Sequence, residues 1–297
     1  MSIAAIAIGS NSTRMLVRLD DGRELRQRAY THLFMGLDSS GQLTDTAMAD
    51  TAEVIDAMKR QANDLGAERV YLYATSAVRD AGNAQAFSRL LFARAGLELN
   101  VIPGETEARL AFEAASKGRH CAVLDIGGGS TELSYGDLNG VYAAVSAQEG
   151  ASRLKCESEI HTLEDAERLR HRVRDRLRPV FQPFYSLQRP PVLVGIGGTC
   201  TTGAAILRCT SSHGQELDDT EVPRSFLEGL LERLIPLTLE ERACIPGMFA
   251  SRAPVMPHGL CILLAVMDMT GFNRYLLGAH NNLDAIIARK LKGEPII

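Results

Sequence analysis

The six cysteines of this 297-residue chain, Cys121, Cys156, Cys200, Cys209, Cys244 and Cys261, include no Cys-x-x-Cys pair. That spacing indicates neither a thiolate zinc site nor a disulfide framework. Scattered thiols of this kind suit a reducing cytoplasm. The N-terminus lacks a signal-peptide pattern, and no apolar run is both long enough and poor enough in glycine to span a membrane. The expectation is a soluble cytoplasmic protein with no membrane partner. Excess positive charge is missing as well: 32 Lys and Arg stand against 36 Asp and Glu, a net charge of −4, so the chain as a whole does not attract nucleic acid. An anionic ligand would need a local basic pocket. The histidines have no metal-binding spacing, and His258 in MPHGLC reads as a core or loop residue.

What is present is an ordinary globular composition, 45% hydrophobic and 23% charged, at a length that favours two domains. Strand and helix signals alternate along it. IAAIAIGS reads as a buried strand stopping at Gly9, and MLVRLDDGREL as a second strand turning at Asp21-Gly22 into a third. Met48, Ile55, Met58, Ala62 and Leu65 have helical spacing, with Gly66 at the end. VYLYATSA and ELNVI read as strands, and AQAFSRLLFARAG and TEARLAFEAASKG as helices. This alternation predicts an α/β protein. From Cys121 the theme repeats: CAVLDIGGGS followed by TELSYG matches IAAIAIGS followed by TRMLVRL, which points to an internal duplication. The proline-bearing stretches Pro179 to Pro191 and Pro246 to Pro257 read as loops.

Three strand ends run into glycine and hydroxyl residues: IGSNSTR, DIGGGSTE and GIGGTCT. Each alone could be a tight turn. Together they offer backbone N–H groups and hydroxyls that could wrap phosphate oxygens, at Gly9, Ser10, Asn11 and Ser12, at Gly127, Gly128, Gly129 and Ser130, and at Gly197, Gly198 and Thr199. None fits the GxxxxGK[ST] loop or the full GxGxxG pattern. The run ERLRHRVRDRLRP reads as a solvated helix begun by a Thr162/Asp165 capping pair, with a track for a long polyanion as the alternative.

The set GSNSTRM, YATSAVRDAGN, IPGETEARLAF, DIGGGSTELSYG, EGASRL and GIGGTCTTGAA resembles the exopolyphosphatase/guanosine pentaphosphate phosphatase family, a branch of the actin and sugar-kinase superfamily. The resemblance runs from the first strand to about residue 205 and implies two ribonuclease-H-like domains with a cleft between them. The expected division is 1–120 plus a C-terminal helix in 282–297 for the first domain, and 121–281 for the second. It further implies that Glu107 handles the attacking water, although a glutamate in a first helical turn also suits the helix dipole. Asp125 and Glu132 would hold Mg²⁺ (or Mn²⁺), an oxygen-preferring cation. Arg14, Arg79, Arg109 and Arg153 fall in matched motifs and would supply the basic pocket.

The substrate so implied is inorganic polyphosphate or a guanosine polyphosphate, releasing terminal orthophosphate; monomer and homodimer both remain open. The chain departs from the family at Ala7, where an aspartate normally stands, and at Arg252-Ala253-Pro254, where the family has Arg-Ala-Asp. The alternative function is therefore a non-catalytic or slow binder of polyphosphate or guanosine tetraphosphate. A sugar or acetate kinase would share only the glycine turns.

Overall fold

A computed structural model describes residues 1–37, 40–212 and 214–296. The strand Ile3–Ile8 (β1) is buried along its whole length, as suits a central strand made only of Ile and Ala. It pairs antiparallel with Thr13–Arg18 (β2), and Gly22, at φ +85°, lets the chain fold back into Glu24–Ala29 (β3). The edge strand β3 reads ELRQRA, polar enough to discourage further pairing.

Thr44 caps the helix Asp45–Asp64 (α1), accepting the Ala47 N–H at 3.3 Å, and Met48, Ile55, Met58 and Ala62 lie on its buried face. Arg69–Ala74 (β4) lies parallel to β1. Ser76–Arg79 (α2) and Ala84–Ala95 (α3) follow, the latter ended by Gly96 in the left-handed region. Leu99–Val101 (β5) pairs parallel with β4 and leads into the helix Gly104–Ala115 (α4).

The theme then repeats. Cys121–Ile126 (β6), Thr131–Asp137 (β7) and Gly140–Ala147 (β8) form an antiparallel meander, followed by the helices Ala151–Glu157 (α5) and Leu163–Val180 (α6). Val192–Ile196 (β9) lies parallel to β6 and runs straight into Gly197–Leu207 (α7). Glu221–Pro223 (β10), Arg224–Leu234 (α8), Leu239–Ala243 (α9), Met256–Thr270 (α10), Arg274–Leu277 (β11) and Asn282–Leu291 (α11) complete the chain.

The first sheet has the order β3-β2-β1-β4-β5, and the second, β8-β7-β6-β9-β11-β10, follows the same path with one added strand. The duplication read from the glycine turns is therefore a duplication of topology. Two compact units result, Met1–Glu107 with Asn282–Ile297 and Ala108–Asn281. The division falls inside α4, earlier than residue 120, because Ala111, Phe112 and Ala115 of that helix pack on Cys121, Val123, Val194 and Ile196. The closing helix α11 lies on β1 and β2, and its Asp284 pairs with Arg26 of β3.

Three local expectations are corrected. Pro179 lies within α6, in its last turn, where a missing N–H costs one bond at the helix end. Pro257 opens α10, a position whose N–H has no helical acceptor in any case. The glycines of GIGGTCT form the first turn of α7 rather than a separate loop.

The arginine-rich helix does begin with the Thr162/Asp165 capping box. Its buried stripe is Ala166, Leu169, Val173 and Leu177, and the arginines flank that stripe. Arg168 pairs with Glu164 and Asp165, Arg170 with Asp268, and Arg176 with Glu149 and Glu157. Much of the run's positive charge is thus balanced locally.

His258 is buried in α10, and its Nε2–H donates to the Ser158 carbonyl at 2.8 Å while Nδ1 has no partner. Burial pushes its pKa down to about 4, with Lys155 and Arg242 also opposing the proton. A depressed histidine pKa means that the unfolded chain binds more protons between about 6.5 and about 4, so stability is full above that window and falls through it with acidification. Thermal unfolding should therefore show a loss of order 3 kcal/mol at full titration. His258→Gln, which keeps a donor for Ser158, should flatten that dependence; an unchanged pH profile would show that His258 does not carry it.

Candidate functional site

In unit 1 the exits of the parallel strands are tied together: the Thr75 N–H donates to the Ile8 carbonyl at 3.2 Å, and the Ile102 N–H to the Ala74 carbonyl at 2.9 Å. Such carboxyl ends are where open α/β sheets place ligands. The Gly9 N–H donates to the Ser12 carbonyl at 3.1 Å, closing the turn between β1 and β2. The carbonyls of Ser10 and Asn11 accept the N–H groups of Phe34 (2.8 Å) and His32 (3.1 Å). Among the described residues, the N–H groups of Ser10, Asn11 and Ser12 donate to no other protein group.

At the same edge, Arg79 Nη1 donates to the Ile102 carbonyl and to Glu107 Oε2, each at 3.0 Å. Glu107 is 7% exposed, unlike the exposed Glu105 of the same helical turn. A solvent-facing carboxylate needs no such arrangement. Its Arg79 contact engages Oε2 and fixes the side chain. Arg14 stands opposite Ala7 across the β1–β2 ladder, while Tyr73 faces Ala7 from β4.

Unit 2 repeats the turn. The Gly127 N–H donates to the Ser130 carbonyl at 3.0 Å, and the first turn of α5 supplies donors to the carbonyls: Ala151 to Gly127 (3.0 Å), Ser152 and Arg153 to Gly128 (2.8 and 3.0 Å). Arg153 Nε donates to the Gly129 carbonyl at 2.9 Å. Among the described residues, the N–H groups of Gly128, Gly129 and Ser130 donate to no other protein group. Such N–H groups are suited to an anionic oxygen.

Asp125 and Glu132 stand opposite each other on one face of the β6–β7 ladder, where the first hairpin has Ala7 and Arg14. Glu132 is buried and accepts the Ser146 hydroxyl at 2.6 Å. Gly197, at φ +83°, carries Asp125 against it: a Cβ there would lie 2.4 Å from Asp125 Oδ1. Among the described residues no three His, Cys, Asp or Glu groups assemble into a metal cage. Two facing carboxylates nonetheless fit Mg²⁺, which keeps several waters and takes one or two carboxylates together with phosphate oxygens.

The structure therefore gathers Gly9–Ser12, Arg14, Arg79 and Glu107 in unit 1, and Asp125, Gly127–Ser130, Glu132, Arg153, Gly197 and Gly198 in unit 2, whereas the Thr199 side chain packs against Gly259 of α10. Arg109 lies half-buried on α4, just past the division.

Two participants escaped the sequence reading. Gly150 lies so close to the second turn that a Cβ would sit 2.3 Å from the Gly128 carbonyl oxygen; its only sequence signal was its place in EGASRL. Arg252 is buried, and its guanidinium carbon would lie 2.1 Å from a Cβ on Gly198, in the first turn of α7. The altered Arg-Ala-Pro motif marked its position without giving it a role.

Two mixed sheets of the same strand path, with glycine turns at their carboxyl edges, define a ribonuclease-H-like α/β protein. The sequence profile of the Ppx/GppA phosphatase family matches residues 23–273. Exopolyphosphatase 2 of Mycobacterium tuberculosis is 32% identical over 311 residues, 96% of this chain and 97% of that protein. Among solved structures, an exopolyphosphatase of Cytophaga hutchinsonii aligns with a TM-score of 0.88 at 22% identity, over 100% of this chain and 99% of that one. A Ppx/GppA family member of Aquifex aeolicus aligns at 0.81 with 24% identity, over 99% and 98%. The chain belongs to the Ppx/GppA phosphatase family.

Because Gly150 abuts backbone rather than a movable side chain, Gly150→Ala should displace the Gly128–Gly129 turn and cost about 1–3 kcal/mol of stability. Binding of tripolyphosphate, read by calorimetry, should weaken in the folded fraction. Parental binding and melting temperature would show that the turn does not depend on this approach.

Proposed function

We propose that the protein releases terminal orthophosphate from inorganic polyphosphate, or from the 5′ end of guanosine pentaphosphate, by attack of water. The observation that carries this reading is the buried Glu107, held at Oε2 by Arg79 at the carboxyl edge of the first sheet. Phosphoryl transfer asks the protein for alignment and charge stabilisation more than for covalent chemistry. Glu107 orients a water and accepts its proton. The N–H groups left over by the glycine turns, together with Arg14, Arg109 and Arg153, receive phosphate oxygens. Asp125 and Glu132 would hold Mg²⁺ or Mn²⁺, which would supply positive charge to the oxygens of the transferred group. The name of the mycobacterial relative, exopolyphosphatase 2, supports polyphosphate as the substrate.

A cytoplasmic setting fits cysteines that form no disulfide among the described residues, and among those residues no helix is long and apolar enough to cross a membrane. The second reading, a slow or non-catalytic binder, is favoured by Ala7. Arg14 and Tyr73 flank that position, and Ala7 itself provides no carboxylate.

Phosphate release measured from polyphosphate, guanosine pentaphosphate and ATP, each with and without Mg²⁺, separates the readings. Metal-dependent release from either of the first two supports the hydrolase, and no release from any substrate sinks it. Glu107→Gln should lower turnover about 10²- to 10⁴-fold while substrate binding stays close to parental. A loss of only a few-fold would reduce Glu107 to a helix-start residue.

Ala7→Asp should lower the Mg²⁺ concentration giving half-maximal rate, through a new oxygen ligand or an acceptor for a metal-bound water. An unchanged metal dependence would show that this position does not limit metal binding.

A further inference from the structure

His32 follows β3 and precedes a short 3₁₀ turn, Leu33–Gly36, and it adopts a left-handed backbone conformation at φ 46° and ψ 34°. That region is unfavourable for a residue with a Cβ unless something holds it there. Two bonds to one residue do so. The His32 N–H donates to the Asn11 carbonyl at 3.1 Å, and His32 Nδ1 lies 2.8 Å from Asn11 Oδ1. An amide oxygen only accepts, so the imidazole carries its proton on Nδ1. The ring is exposed and stacks on Tyr30, with centroids 6.1 Å apart.

The consequence falls on Asn11. With Oδ1 turned to His32, its amide nitrogen is directed elsewhere, and Nδ2 is a buried donor without a partner. An unmet buried donor costs about 1–3 kcal/mol. Native structures keep few of these, and an absent ligand is one reason to keep one. Asn11 sits in the first glycine turn, where the N–H groups of Ser10, Asn11 and Ser12 are also left over by the hairpin.

We propose that His32 is a positioning residue for phosphate binding: it locks the Asn11 amide so that Nδ2 adds a side-chain donor to the backbone N–H groups of the turn. This rests on the phosphate-binding reading of that turn. The donor on Nδ1 is present in the neutral and in the charged ring, so the arrangement does not require a charged histidine.

Three variants separate positioning from structure. His32→Gly removes the side chain while relieving the left-handed backbone. His32→Asn tolerates that backbone and places an amide donor at about the reach of Nδ1. Asn11→Ala removes the proposed donor itself. Tripolyphosphate binding by calorimetry, KM and kcat for polyphosphate, and the melting temperature are read for each.

Loss of one hydrogen bond to a charged group should weaken binding and raise KM about 10-fold in His32→Gly and in Asn11→Ala, with kcat of His32→Gly within about 2-fold. His32→Asn should restore both, and His32→Gly should melt no lower than the parent. Parental binding by a folded His32→Gly, or no recovery in His32→Asn, overturns the proposal while leaving the hydrolase reading intact. A parent that binds tripolyphosphate but releases no phosphate overturns the hydrolase reading, and the binding ratios alone then decide the role of His32. A parent that binds no tripolyphosphate overturns the proposal for His32, while the hydrolase reading is decided by phosphate release.

Discussion

A glycine N–H that donates to the carbonyl three residues ahead closes a hairpin without using the N–H groups in between. In this protein the pattern occurs at Gly9 and again at Gly127, and in both places a later segment holds the turn's carbonyls from outside. The carbonyls thereby cease to repel an anion, and the N–H groups keep their capacity to donate. The residues ahead of each turn, the segment that clamps it, and the close approach of Gly150 all follow from keeping that loop tight. A wider turn would lose the clamp, because the α5 donors reach the carbonyls at 2.8 to 3.0 Å.

The two hairpins share a backbone but have opposite charge. Where one ladder pairs Asp125 with Glu132, the other pairs Ala7 with Arg14. One half thus offers carboxylates that suit a hard cation, and the other offers a guanidinium that suits phosphate directly.

Much of this was legible in the residues. Gly9 and Gly127 announced their turns because a strand seldom ends on glycine and hydroxyl residues without a reason, whereas Gly197 opens a helix, and the topological duplication followed from the repeated strand-turn-strand pattern. Boundaries read less well. The division inside α4 could not be seen from local signals, since it is set by where Phe112 and Ala115 find apolar partners far along the chain. Pro179 looked like a loop marker, yet the helix runs one residue past it, the loss of its N–H bond being outweighed by the packing of the stripe that ends at Leu177. Gly150 and Arg252 were missed for the same reason: their importance is a distance to Gly128 and Gly198, and distance across a fold has no local signature.

The placement of α11 has a consequence for how the chain acquires its shape. Unit 2 is contiguous, Ala108–Asn281, so all of its strands and helices are present once residue 281 has been synthesised. Unit 1 begins at Met1 but needs Asn282–Leu291 to cover β1 and β2 and to bring Asp284 to Arg26. The strands of unit 1 are therefore synthesised before those of unit 2 but wait longer to be fully buried, with the high sequence separation that slows assembly. Until α11 arrives, the face of the first sheet on which it packs stays open to chaperones and to other chains. A chain truncated before α11 should endanger that sheet far more than the second.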